Sequence, residues 1–292
     1  MQKHLETSFY NSIENDDYGR RLVLRSEWHD DFLAYMIQEG IKSLTLNYAL
    51  GFQGNTIDFL SRLPFLESLH LLVYDFRDIS VIETLHSLRD LNIGSRDNTS
   101  LDFLQFPELE KCGLNWRKNS ETLFQCKQLK WLFIDKYSAK DTAGFSNLAK
   151  LEHLDLASSL LDDLQGLGAL KELKMLGLYN LRWIASLRGL ETLINLEELY
   201  IESCRNLTSI EEICCLSQLK VLTFNNCGDI ASLKPITALH HLRKVSFAES
   251  TNILDGDLLP IAQLDHPLLV MFKNRKHYSH RREIFPPWSE GK

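Results

Sequence analysis

Apolar and polar positions along this chain recur on a nearly fixed step. A hexad L-x-x-L-x-L, with conservative substitutions, begins at Ile41, Leu66, Leu88, Leu109, Leu129, Leu151, Leu173, Leu196, Leu219 and Leu242. Successive starts lie 20 to 25 residues apart, too regular a step for chance. The clearest copies read LEHLDL from Leu151, LKMLGL from Leu173, LEELYI from Leu196 and LKVLTF from Leu219, and irregular relatives flank them at 21–25 and 267–272. Within a copy, Leu154 and Leu156 alternate with His153, Asp155 and Ala157. That period of two predicts a short strand with one buried face. After the strand the apolar spacing changes to three, as in Leu161, Leu164, Leu167 and Leu170, or Leu207, Ile210, Ile213 and Leu216, or Ile230, Leu233, Ile236 and Leu239. Residues three apart line one side of a 3₁₀-like or short helical turn. One such unit cannot bury its apolar edge alone, whereas stacked neighbours share a continuous core.

This pattern resembles the leucine-rich-repeat family over residues 19–272, and the step near 22 is similar to its short-repeat, free-standing bacterial type. The resemblance implies an α/β repeat: a leucine-rich-repeat solenoid with a curved parallel β-sheet on the concave face and 3₁₀ or short helical segments and loops on the convex face. It implies an N-terminal segment 1–18, a single solenoid with capping end units over 19–272, and a basic C-terminal tail 273–292. The position after each start reads Lys42, Glu67, Arg89, Glu110, Lys130, Glu152, Lys174, Glu197, Lys220 and Arg243, alternating in sign through the first nine. Parallel strands stack about 4.8 Å apart, so the alternation predicts a ladder that fixes register, not a binding site. Many family members place Asn about eight residues after the start, where its amide satisfies turn backbone. This chain has Tyr74, Arg96, Tyr137, Ser159, Leu181, Cys204, Cys227 and Ser250 there. The cysteines and serines can offer a small, weak partner in its place. Before the repeats, residues 26–40 put Trp28, Phe32 and Met36 on one stripe ahead of Gly40, which predicts a capping helix.

Composition narrows the function more by exclusion. A formal charge of -7 argues against general nucleic-acid binding, which needs many cationic contacts to phosphate. Residues 1–20 carry no apolar leader behind a basic start, and no stretch approaches the roughly 18 apolar residues that cross a bilayer. The chain therefore reads as cytoplasmic, with no membrane partner. Cysteines at 112, 126, 204, 214, 215 and 227 form no C-x-x-C pair and read as reduced, buried thiols. Residues 273–282 hold five cationic side chains and no acid, which reads as a solvated tail, or as a contact for an acidic partner or RNA.

Catalytic signatures are scarce. There is no glycine-rich phosphate loop, no H-E-x-x-H and no nucleophile elbow, so no enzyme activity, metal or cofactor is expected. His153 and Asp155 could form a base beside a carboxylate, and two surface strand residues look the same. The positions facing away from the core carry more information. In early repeats they are small and polar, such as Ser43, Thr45 and Asn47. From the fifth they become Trp131, Phe133 and Asp135, then His153, Asp155 and Ala157, then Met175, Gly177 and Tyr179, then Glu198, Tyr200 and Glu202, with Trp116 and Tyr137 at strand ends. Aromatic residues on a solvated face are typical interface anchors, and the acids beside them suit a basic partner. The partner-binding candidates are thus Trp116, Trp131, Phe133, Asp135, His153, Asp155, Tyr179, Glu198, Tyr200 and Glu202. The function expected is a non-catalytic scaffold holding another protein on its sheet, with an inhibitor such as an immunity protein for a toxin as the sharper form of that reading. A regulatory or targeting subunit of an enzyme such as a phosphatase is the alternative.

Overall fold

The computed structural model describes residues 12–73, 76–95, 97–264 and 268–285. Tyr74, Arg96, Pro267 and most of segment 1–18 lie outside the described residues. The chain falls into two compact units, the first ending at Lys130 and the second beginning at Trp131.

The first unit contains strands β1 (Ser12–Asp16), β2 (Gly19–Leu24), β3 (Ser43–Asn47), β4 (Ser68–Leu72), β5 (Asp90–Ile93) and β6 (Lys111–Asn115), hydrogen-bonded in that order. From β2 onward the pairing is parallel. The exception is β1, which pairs antiparallel with β2 through a hairpin whose polar sequence hid it from periodicity. Helix α1 (Asp30–Gln38) buries Phe32 and Met36, and Trp28 stacks on Phe59 at 4.2 Å. Gly40 closes the helix at φ +63, with Ile41 N–H donating to Met36 at 2.8 Å and Gly40 N–H to Ile37 at 3.3 Å. That pair of bonds satisfies the last carbonyls and needs a left-handed residue where they meet.

The second unit contains β7 (Trp131–Asp135), β8 (His153–Ala157), β9 (Met175–Tyr179), β10 (Glu198–Glu202), β11 (Val221–Asn225), β13 (Lys244–Phe247) and β15 (Leu269–Phe272), again parallel and in order. A small second pair, β12 (Asp229–Ile230) and β14 (Asn252–Ile253), runs between the turns. Strands β7 to β11 and β13 each begin two residues after a repeat start. The leucines spaced by threes become successive 3₁₀ bonds: Leu167 N–H donates to Leu164, Leu170 to Leu167 and Leu173 to Leu170, at 2.9 to 3.1 Å. All four are fully buried, and each such side chain contributes roughly 1.5–3 kcal/mol of apolar burial.

One backbone device recurs through the second unit. Lys136, Ser158, Asn180, Ser203, Asn226 and Glu249, each directly after a strand or one residue past it, have φ between 49 and 60. Lys136 N–H donates to Ala157, Ser158 to Tyr179, Asn180 to Glu202 and Ser203 to Asn225, at 2.8 to 3.0 Å. The left-handed turn reverses the side-chain direction, so the next residue points into the core. Tyr137, Ser159, Leu181, Cys204 and Cys227 are all buried there. The thiols of Cys204 and Cys227 do supply the missing amide's bonds, reaching the carbonyls of Leu178 at 3.5 Å and Asn225 at 3.2 Å. Burial pushes these thiols up to about 11 and about 12. Ser159 makes no such bond.

The charge ladder forms within both units. Lys42 pairs with Glu67 at 2.6 Å, Arg89 with Glu67 and Glu110, Lys130 with Glu110 at 2.8 Å, Lys174 with Glu152 at 2.6 Å and Lys220 with Glu197 at 2.5 Å. These are half-exposed contacts worth at most about 1 kcal/mol each.

Candidate partner-binding face

Strands β7 to β10 set out a lattice of side chains on the face opposite the core. The rows read Trp131, His153, Met175, Glu198; then Phe133, Asp155, Gly177, Tyr200; then Asp135, Ala157, Tyr179, Glu202. Nine of the ten sequence candidates fall in this lattice, and all nine are half-buried. It holds four carboxylates and no Lys or Arg. Trp116 belongs to the first unit, where its ring packs against Phe124 at 5.7 Å. Tyr137, expected at a strand end on this face, is instead 2% exposed, with its ring edge-on to core Phe145. The left-handed Lys136 before it sends it inward.

Neighbours order the polar groups of the face. The His153 ring lies 5.3 Å from that of Trp131, and its Nε2 is 2.7 Å from Asp155 Oδ2. The Tyr200 hydroxyl donates to the Glu198 carboxylate on the same strand. Gly177 is the residue that sequence reasoning passed over. A Cβ there would collide with Asp155 Oδ1 and with the Tyr179 ring and hydroxyl, so glycine lets those two groups lean across the centre of the lattice. A glycine inside a strand marks such a close approach and is the signal that could have found it.

The electrostatics follow from burial and crowding. Burial, then the Asp155 carboxylate, pushes the Tyr179 phenol up to about 12. Burial, then Glu198, pushes Tyr200 well above the ordinary phenol value. Both phenols therefore stay protonated donors. Glu202 is raised above the usual glutamate value, first by burial and then by Glu249, with a Ser203 hydrogen bond opposing. A carboxyl raised in the folded state binds its proton more tightly there, so stability falls as pH rises through that window. Glu202→Gln is accordingly expected to raise the melting temperature at neutral pH and to leave it unchanged in acid, where both carboxyls are protonated. Melts at the two pH values check this, and an equal shift at both would contradict it.

The corresponding face of the first unit is closed by its own groups. Arg21 pairs with Asp16 at 2.7 Å and donates to Thr45 at 3.0 Å and Ser68 at 2.7 Å. Asp90 accepts from Ser68 at 2.7 Å and meets His70 at 3.0 Å. Burial would raise Asp90, but His70, Ser68 and Arg21 outweigh it and hold the carboxyl below its usual value. Ser43, Thr45 and Ser68 are buried although they point away from the core. At the rim, the hairpin turn packs Tyr18 over the Arg89 guanidinium at 5.3 Å, and Asp17 pairs with Lys111.

No family model and no curated protein matches the chain. Solved structures do. An internalin of Listeria monocytogenes aligns with 83% of this chain and 77% of its own, at 21% identity and a TM-score of 0.58. A leucine-rich-repeat protein of Leptospira interrogans aligns with 86% of this chain and 72% of its own, at 18% identity and 0.56. A plant peptide hormone receptor, solved in complex with RGF2, aligns with 90% of this chain and 52% of its own, at 16% identity and 0.53. With the parallel strands and repeated 3₁₀ turns, these likenesses define the class: the chain has the leucine-rich-repeat solenoid fold. Among the described residues no helix is long and apolar enough to cross a membrane.

Proposed function

We propose that this chain is a non-catalytic scaffold that holds a partner protein on the open face of β7 to β10. The observation that carries the reading is the lattice itself, in which aromatic rings and four carboxylates stand together without a Lys or Arg. Trp and Tyr in such a setting give large contact area at little entropic cost, and the acids favour a partner with a basic surface. The plant receptor solved with RGF2 is a precedent for the fold holding a ligand. The narrower reading is inhibitory: a cytoplasmic, immunity-type protein that covers a basic toxin or a regulated enzyme. His153 and Asp155 serve this reading by fixing the imidazole beside Trp131, which a cationic partner would meet first.

The test is affinity capture from cells of the source, with the wild-type chain beside a Trp131→Ala/Tyr200→Ala variant. Cross-strand ring contacts are worth at most about 1 kcal/mol each, so melting should be little changed. Loss of two anchors should weaken capture of a basic protein at least about tenfold. Identical capture by both proteins, or capture lost only because the variant unfolds, would sink the reading. Turnover of a substrate that either His153→Ala or Asp155→Asn abolishes would replace it with an enzyme.

A further inference from the structure

The sequence reading placed most of the six cysteines at core or near-core positions and took them as buried thiols, and the structure corrects the burial at two. Cys112, Cys126, Cys204 and Cys227 are buried, while Cys214 and Cys215 are exposed on the 3₁₀ turn Glu211–Cys215. Their sulfurs lie 3.8 Å apart. The turn holding them is fixed on both sides, because Ile213 and Leu216 are fully buried and Leu216 N–H donates to Ile213 at 2.9 Å. Beside Cys214 opens a cleft of about 450 Å³, where Ile210, Ala231, Pro235 and Ala238 supply apolar wall among polar residues that include Glu211 and Lys234.

Two thiols at this spacing suit one soft atom held between them. Bonds of about 2.3 Å to a common centre put two sulfurs roughly 3.3 to 3.8 Å apart, for angles of about 90 to 110°. A disulfide instead requires about 2.05 Å, and so a rearranged turn. Structural zinc needs four ligands, and among the described residues no three His, Cys, Asp or Glu groups converge. A trivalent arsenic atom that carries one organic group needs only two sulfurs.

We propose that Cys214 and Cys215 form a dithiol site that captures monosubstituted trivalent arsenicals, with the organic group seated in the apolar cleft. The step is a substitution without redox change. Each thiol displaces one hydroxyl from R–As(OH)₂, so two As–O bonds break and two As–S bonds form. The two thiol protons leave in two water molecules, and arsenic stays trivalent. The hydrogen bond to Cys214, with Glu191 and Glu212 adding, raises Cys215 above its usual value.

Phenylarsine oxide, which hydrates to the diol in water, is the probe. The full reduced chain is mixed with it, challenged with excess monothiol and weighed intact by mass spectrometry. Wild type should hold one adduct, which dimercaptopropanol removes. Cys214→Ser and Cys215→Ser should each lose retention at least about 100-fold, because the second bond is intramolecular. Both side chains are at the surface, so circular dichroism should confirm an unchanged fold. Ala231→Trp, which fills the cleft, should weaken retention of the phenyl compound and spare its methyl counterpart. An adduct that persists in the double serine variant, or equal retention by either single variant, would overturn the dithiol site. Equal effects of Ala231→Trp on both compounds would overturn the seat in the cleft.

Discussion

Asp97→Ala is expected to lower the stability of the first unit by about 3–5 kcal/mol, far beyond a typical polar substitution. Asp97 and Arg117 are each only 2% exposed in their side chains and pair at 3.1 Å. Asp97 Oδ1 also accepts the Thr99 N–H at 2.8 Å, and Arg117 donates to Ser95 at 3.1 Å. Burial works against both charges. It lowers Arg117, and it would raise Asp97 if Ser95, Thr99 and Arg117 did not more than reverse it. Truncating the acid leaves a guanidinium buried without its counter-charge, and a buried uncompensated charge is what makes such losses large. The pair itself is not a large net gain, since Asp97 Oδ2 and Arg117 Nε have no hydrogen-bond partner. Asp97→Leu/Arg117→Met should therefore recover most of the loss. The acid branch carries the sign of the linkage. The Asp97 carboxyl sits below its unfolded value, so its contribution is present above the usual carboxylate range and is lost as pH falls through the folded value. Denaturant titrations of the three proteins across that range decide it. A single variant within about 1 kcal/mol of wild type, or a double variant as unstable as the single, would refute the account.

That ion pair was invisible in the sequence for a reason shared by the other surprises. Repeat starts, strand faces and 3₁₀ turns are periodic, so Leu154, Leu156 and Leu167 announce their burial through spacing alone. Arg117 sits eight residues after a start, the position where Cys204 and Cys227 are also buried. Its residue type reads as solvated unless the acid twenty residues earlier is known to lie beside it. The same inward turn removed Tyr137 from the open face. Arg21 and the β1 hairpin carry no apolar alternation, so only pairing partners reveal them. The exposed thiols were legible in principle: with Ile213 and Leu216 inward at a spacing of three, Cys214 and Cys215 must face outward. Of the candidate face, the positions were readable from the period of two. Gly177's part was not, because it depends on how Asp155 and Tyr179 lean across it.

The C-terminal residues depart from the sequence reading at their aromatic side chains, and these carry the second large effect. Residues 273–282, read as a solvated basic tail, keep Lys273, Lys276 and Arg281 exposed, but Tyr278 is buried and, with Phe285, closes the end of the second unit beyond β15. The rings of Tyr278 and Phe285 meet Phe272 edge-on at 5.8 and 6.0 Å, and Phe272 stacks on Phe247 at 4.8 Å. The Tyr278 hydroxyl accepts the Ile253 N–H at 3.0 Å, and Arg275 donates to the carbonyls of Ser250 and Thr251 at 3.1 and 2.9 Å. Among the described residues no further strand follows β15, and these side chains cover its apolar edge instead. Tyr278→Ala is expected to cost about 3–5 kcal/mol, the loss usual for a buried ring. Tyr278→Phe keeps the ring and strands only the Ile253 amide, which costs about 1–3 kcal/mol. Amide hydrogen exchange gives the location: in Tyr278→Ala, protection should fall first in β13 and β15 and last in β7 and β8, because repeats support chiefly their neighbours. A Tyr278→Ala protein that melts like wild type, or that loses protection evenly through the second unit, would show that the aromatic end is not what holds the last strands.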